Sequence, residues 1–163
     1  MKIGISGHQN LGSPNVVDWV RAQIKDELTK RDFSSGVSSL AEGADQLFAE
    51  VVLTLGKLLE VVIPCHNYES AFNNPIAAQQ FRNLKNKASK SYVLNFEGPS
   101  EEAFYQAGRH IVEASDLMVF VWNGKPAQGH GGTADIVDYA QQLDREFIWI
   151  NPARVELSAT QNI

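Results

Sequence analysis

Cysteine is almost absent: the one thiol among 163 residues is Cys65. A single thiol closes no intrachain disulfide and forms no Cys-x-x-Cys redox or metal pair. The expected setting is therefore a reducing one, the cytoplasm. Basic charge is also short. Fourteen Lys and Arg stand against nineteen Asp and Glu, a formal net charge of −5. Proteins that grip a nucleic-acid backbone usually carry a basic surplus, so nucleic acid ranks low among the expected partners. No apolar run reaches the ~18 residues that a membrane helix needs, so no membrane partner is expected. The start, MKIGISGHQN, lacks the apolar stretch of a signal peptide. His8, His66, His110 and His130 fall in four separate segments without ligand spacing, which argues against a metal site. There is no G-x-G-x-x-G and no G-K-[S/T], so neither classical NAD binding nor Walker-type ATP hydrolysis is supported. No cofactor is expected.

Short apolar runs alternate with amphipathic stretches along the chain. Strands are expected at 2–6, 36–40, 59–63, 91–96, 117–122 and 147–150. Helices are expected at 14–31, 44–55, from 75 to about 88, 100–114 and 133–143, where apolar residues recur at helical spacing. Ser13 and Pro14 suit a helix start, as do Pro99 and Ser100, and Gly56 suits a helix end. The run LMVFVW at 117–122 is apolar throughout, as in a central parallel strand covered on both faces. This order predicts an α/β fold: a Rossmann-like, doubly wound parallel sheet of about five to six strands with helices on both faces. Residues 1–152 read as one domain and 153–163 as a polar tail. Ligands of such folds bind at the carboxyl ends of the strands, which singles out the loops 6–13, 41–45, 64–74, 96–100 and 122–133.

Three of these loops carry the candidate ligand-binding residues. Ser6, Gly7, His8 and Gln9 follow the first strand, where a glycine lets a ligand approach the backbone. Ala41, Glu42, Gly43 and Asp45 follow the second. Their acids suit ribose hydroxyls, or simply the start of a helix. Asn123 opens the third loop, which closes with Gly131, Gly132 and Thr133. Three glycines in four residues ahead of a helix make a phosphate-sized nest of N–H groups, with Thr133 as cap or phosphate donor. Arg109, one helix earlier, has the fork to hold a phosphate, or lies on a solvated face. Cys65 reads as a small buried thiol, and Asp116 as a residue that orients a neighbouring loop. Trp122 and Trp149 read as core or interface, with Trp122 near enough to the loop to stack on a base.

The segment GVSSLAEGADQLFAEVVLTLGKLLEVVIP (36–64) resembles the strand, S-G-x-A-x-G-x-D, helix and strand of the DNA-processing proteins. Ala41, Gly43 and Asp45 are kept, while Ser39 replaces the first glycine. RHIVEASDLMVFVWNGKPAQGHGGTADIVDYA (109–140) resembles the LOG phosphoribohydrolases and the nucleoside deoxyribosyltransferases. Together these place the chain near the SMF/DprA–LOG, or SLOG, superfamily. The resemblance implies a nucleotide-binding Rossmann-like domain, often homo-oligomeric. It also implies N-glycosidic chemistry in some members. The G-T-x-x-E pattern that follows the glycine turn puts its catalytic glutamate at position 136, which is Ile136 here. Asp135 is one residue early, about 100° around the helix. Any enzyme would need a substitute acid, Asp135 or Glu42 first, then Asp45. The leading expectation is binding of a nucleotide or an ADP-ribose-like molecule. An N-glycosidase is the alternative, and a DNA-processing protein the minor one.

Overall fold

The structure, a computed structural model, describes residues 1–127 and 129–155. Its strands are β1 (Lys2–Gly7), β2 (Ser35–Ser38), β3 (Leu58–Ile63), β4 (Lys90–Val93), β5 (Leu117–Val121) and β6 (Glu146–Ile150). All neighbours pair in parallel, in the order β4-β3-β2-β1-β5-β6. The helices are α1 (Pro14–Thr29), α2 (Ala44–Thr54), α3 (Pro75–Asn86), α4 (Glu101–Ala114) and α5 (Thr133–Gln142).

The strand order follows from handedness. Right-handed crossovers from β1 through β4 put α1, α2 and α3 on one face, and the return toward β6 puts α4 and α5 on the other. The apolar run of β5 serves both. Leu117, Val119 and Val121 pack with Val16, Val20 and Ile24 of α1. Met118 and Phe120 pack with Ile111 and Val112 of α4 and with Ile136 and Val137 of α5. Period-two alternation of side chains makes this division. Burying a side chain the size of Phe120 contributes about 1.5–3 kcal/mol.

Local chemistry sets the ends of the elements. The Ser100 hydroxyl accepts from the Ala103 N–H at 3.0 Å and starts α4. Asn74 caps α3 by accepting from the Ile76 N–H at 2.9 Å. Ser13 holds the expected place before α1, but its side chain makes no cap bond. Gly56 follows α2 with a φ of +74°, the left-handed turn expected of it.

Several boundaries differ from the sequence reading. β2 ends at Ser38 rather than at 40, because Leu40 has already turned into the left-handed region at φ 58°. β4 spans four residues, not six, and all four are exposed. It is an edge strand, so its apolar residues lack the cover that a central strand has. A 3-10 turn at Tyr68–Ala71 had no expected counterpart. At the start of the expected tail, residues 153–155 are helical, and Val155 packs against the α1-side core. Residues 156–163 lie outside the described residues. Asp116 directly precedes β5. It accepts the Lys2 N–H at 2.8 Å and ties β5 to β1 at their amino ends.

Candidate functional site

A cavity of about 450 Å³ opens at the carboxyl ends of the strands. That volume falls within the ~300–1,000 Å³ common to ligand pockets. From β1 the chain moves one way to β2, and from the neighbouring β5 the other way to β6. The cavity has one edge from each side of this switch, the β1 loop and the start of α5.

The β1 loop is braced from both sides. The His8 carbonyl accepts the Ala44 N–H at 3.1 Å, which fixes the start of α2 against it. Gly43 makes that approach possible. Its φ is +87°, and a β-carbon there would lie 2.6 Å from the His8 carbonyl oxygen. On the other side, the Asn123 N–H donates to His8 Nε2 at 3.0 Å. An Nε2 that accepts a backbone N–H carries no proton, so the neutral ring holds its proton on Nδ1. Burial holds the His8 pKa below the usual histidine value.

The second loop presents two acids. Asp45 is buried, and burial pushes its carboxyl up to about 7, against the pull of the Ala41 and Ser39 N–H groups. The Ala41 N–H reaches its Oδ2 at 3.3 Å. Glu42 reaches across to α3, where its Oε1 accepts from Asn74 Nδ2 at 3.0 Å. The left-handed Leu40 is fully buried, and its N–H donates to the Ser38 hydroxyl at 3.0 Å. Strained backbone of this kind persists where the surroundings over-determine it.

The third loop closes the cavity with Gly131, Gly132 and Thr133. It is less free than a bare nest. The Gly131 N–H is held by Asp135 Oδ2 at 2.8 Å. His130 lies on Tyr105, with ring centroids 4.2 Å apart, and its Nε2 is 3.2 Å from Glu102 Oε2. These contacts seat the loop on the first turn of α4. Gly132, not Thr133, is the capping position of α5.

Ser6, Gly7, His8, Gln9, Ala41, Glu42, Asp45, Gly131, Gly132 and Thr133 thus gather around one cavity. Gly43, Asn123, Arg109 and Asp135 do not line it. Gly43 and Asn123 act through the backbone, as the braces just described. Arg109 is turned toward α5, its guanidinium carbon 4.6 Å from the centre of the Tyr139 ring and 4.0 Å from Glu113 at the nearest atoms. Asp135 is turned onto the glycine loop. Trp122 also lies off the cavity, its indole N–H given to the Lys125 carbonyl at 2.8 Å. Cys65 is buried, and burial pushes its thiol up.

The sequence reading missed the apolar wall. Tyr68 and Phe72 enter from the 64–74 loop, and Phe104, Gly108 and Ile111 from α4. No motif marks them. Tyr68 is buried, and desolvation with the nearby Asp45 and Cys65 pushes its phenol far up. Ile136, where the G-T-x-x-E pattern would put its glutamate, lines the cavity as part of this wall. Among the described residues, no three His, Cys, Asp or Glu side chains are placed to hold a metal, and no helix is long and apolar enough to cross a membrane.

No family model and no curated protein matches the chain. Solved structures do. The chain is similar to DNA processing protein A from Helicobacter pylori, described for its single-stranded DNA binding mode, at 15% identity and a TM-score of 0.66, over 99% of this chain and 73% of that one. It is similar to DNA processing protein A from Streptococcus pneumoniae at 17% identity and a TM-score of 0.64, over 91% of this chain and 49% of that one. A molybdenum cofactor binding protein from Rippkaea orientalis matches at 14% identity and a TM-score of 0.60, over 99% and 82%. At such identities the likeness is one of fold. The chain therefore shares the Rossmann-like α/β fold of these proteins, the fold its sequence resemblance implied.

Proposed function

We propose that the chain is a binding domain for a nucleoside, a nucleotide or a nucleotide derivative such as ADP-ribose. The observation that carries this is the mixed lining of the cavity at the switch point. Part of it is apolar and partly aromatic (Phe72, Phe104, Ile111, Ile136), and suits the face of a base. Part is polar (Ser6, His8, Ser39, Glu42, Asp45), and suits sugar hydroxyls. A phosphate, where the ligand has one, meets the start of α5 at Gly132 and Thr133. Calorimetric titration with a panel of nucleosides, nucleotides and ADP-ribose tests the reading. Saturable binding that Phe104→Ala weakens at least tenfold supports it. No binding across the panel overturns it.

A second reading, cleavage of an N-glycosidic bond, has one specific support. Asp45 is a buried cavity acid whose carboxyl is pushed up to about 7 by burial, into the range that suits a general acid. Release of free base from nucleosides or nucleotides, abolished by Asp45→Asn, would establish it. Release that survives changes at Asp45, Glu42 and Asp135 singly would remove these assignments. A third reading, single-stranded DNA binding, draws on the fold neighbours and is opposed by the net charge of −5. A salt-dependent gel shift with single-stranded DNA is its test.

A further inference from the structure

We infer that the cavity takes the uncharged nucleoside in preference to its phosphorylated forms, because its walls offer a ligand acids and main-chain dipoles but no cation. The inference rests on the nucleoside-class reading above and chooses within it.

An anion that leaves water needs opposite charge or several hydrogen-bond donors in its new site. Among the described residues, no Lys or Arg lines the cavity, whereas the acid Glu42 does. The residues outside the description, 128 and 156–163, include no Lys or Arg either. Arg109 is the basic residue nearest in sequence to the lining, beside Gly108. Its guanidinium lies 4.6 Å from the centre of the Tyr139 ring and 4.0 Å from Glu113, outside the cavity lining.

The glycine loop does not make up the difference. Its Gly131 N–H is already taken by the Asp135 carboxylate. Its backbone packs on the first turn of α4, which carries Glu101 and Glu102. Three acids therefore lie against the glycine loop, outside the cavity lining. The one basic side chain among them, His130, lies between Glu102 at 3.2 Å and Asp135 at 3.9 Å. Sugar hydroxyls face no such conflict. They donate to Glu42, and they accept from N–H and O–H groups on the polar wall.

Calorimetry of the whole chain with adenosine, guanosine, cytidine, uridine and thymidine, each against its 5′-monophosphate, tests the inference. ADP-ribose joins the panel as a diphosphate. At low salt, at least one nucleoside is expected to bind, and its monophosphate at least tenfold more weakly. Glu42→Gln should narrow that gap, because it removes one repelling charge from a half-buried position outside the core. A monophosphate or ADP-ribose that binds as tightly as the nucleoside overturns the inference and leaves the broader reading standing. If no compound binds, both fall. A gap that Glu42→Gln leaves unchanged rules out the charge argument.

Discussion

Ile136 fills the space left by the missing side chain of Gly108. A β-carbon at position 108 would lie 2.7 Å from Ile136 Cγ1. Helices α4 and α5 approach closely there, and the contact forms part of the cavity wall. The apolar residue at 136 is thus a packing element, matched to a glycine on the neighbouring helix. Gly108→Ala should cost about 1–3 kcal/mol by overpacking. It should also reduce ligand affinity, because the wall must move. Thermal denaturation and titration of the same variant check both.

Ile136→Glu would place an acid where the G-T-x-x-E pattern has its glutamate. The side chain at 136 is 2% exposed, so the new carboxylate would be buried against Gly108 with no partner. The expected cost is about 2–7 kcal/mol, or a strongly raised glutamate pKa in its place. Chemical denaturation at pH 5 and pH 8 distinguishes these: a raised pKa makes the variant relatively more stable at pH 5.

The raised Asp45 carboxyl fixes a pH dependence. In the unfolded chain it gives up its proton near pH 4, and in the folded chain near pH 7. Between those values the folded state holds more protons, so stability falls as pH rises from about 4 to 7, then levels off. Asp45→Asn should remove that slope. His8 acts in the opposite sense. Its folded pKa lies below the unfolded value, so its contribution is present above about pH 6.5 and is lost as pH falls through its folded pKa. His8→Gln should remove the acid-side loss. Denaturant midpoints measured from pH 4 to 8 separate the two.

Asp135 is turned onto the glycine loop, where its Oδ2 accepts the Gly131 N–H. Asp135→Asn should weaken its hydrogen bond to the Gly131 N–H, at a cost of about 0.5–2 kcal/mol. It should speed amide exchange at Gly131 and bring the monophosphate affinity closer to that of the nucleoside. An unchanged affinity ratio would count against a role for the Asp135 charge.

Arg109 gives the contrasting expectation. Its guanidinium stacks on Tyr139 and lies off the cavity, so Arg109→Gln should lower stability by about 0.5–1 kcal/mol. Ligand affinity should change less than twofold. A tenfold loss would restore the phosphate-clamp role that the sequence suggested.

Most of the fold was legible because alternation of apolar runs with helical periodicity is a strong signal. The buried β5 run, the glycine loop and the Ala41–Asp45 turn all fall where expected. Tertiary placement was not legible. β4 reads as an ordinary strand, and only the strand order makes it an edge. Arg109 and Asp135 lie in the right segments, but side-chain direction decides their roles, and a step of one residue from Gly108 and Ile136 turns them off the cavity. Tyr68, Phe72 and Phe104 carry no motif, since an aromatic residue in a loop or on a helix reads as core. Position 136 was legible as a lost acid, but not as the partner of Gly108.

The central claim is that the cavity between the β1 loop and the start of α5 is the ligand site. Amide chemical-shift mapping, with the tightest-binding nucleoside of the panel titrated into the labelled chain, tests it most directly. The largest saturable shifts should fall on Gly7, His8, Ala41, Glu42, Gly108 and Gly132. Shifts concentrated on the β4 or β6 edge, with those six amides unmoved, would contradict it.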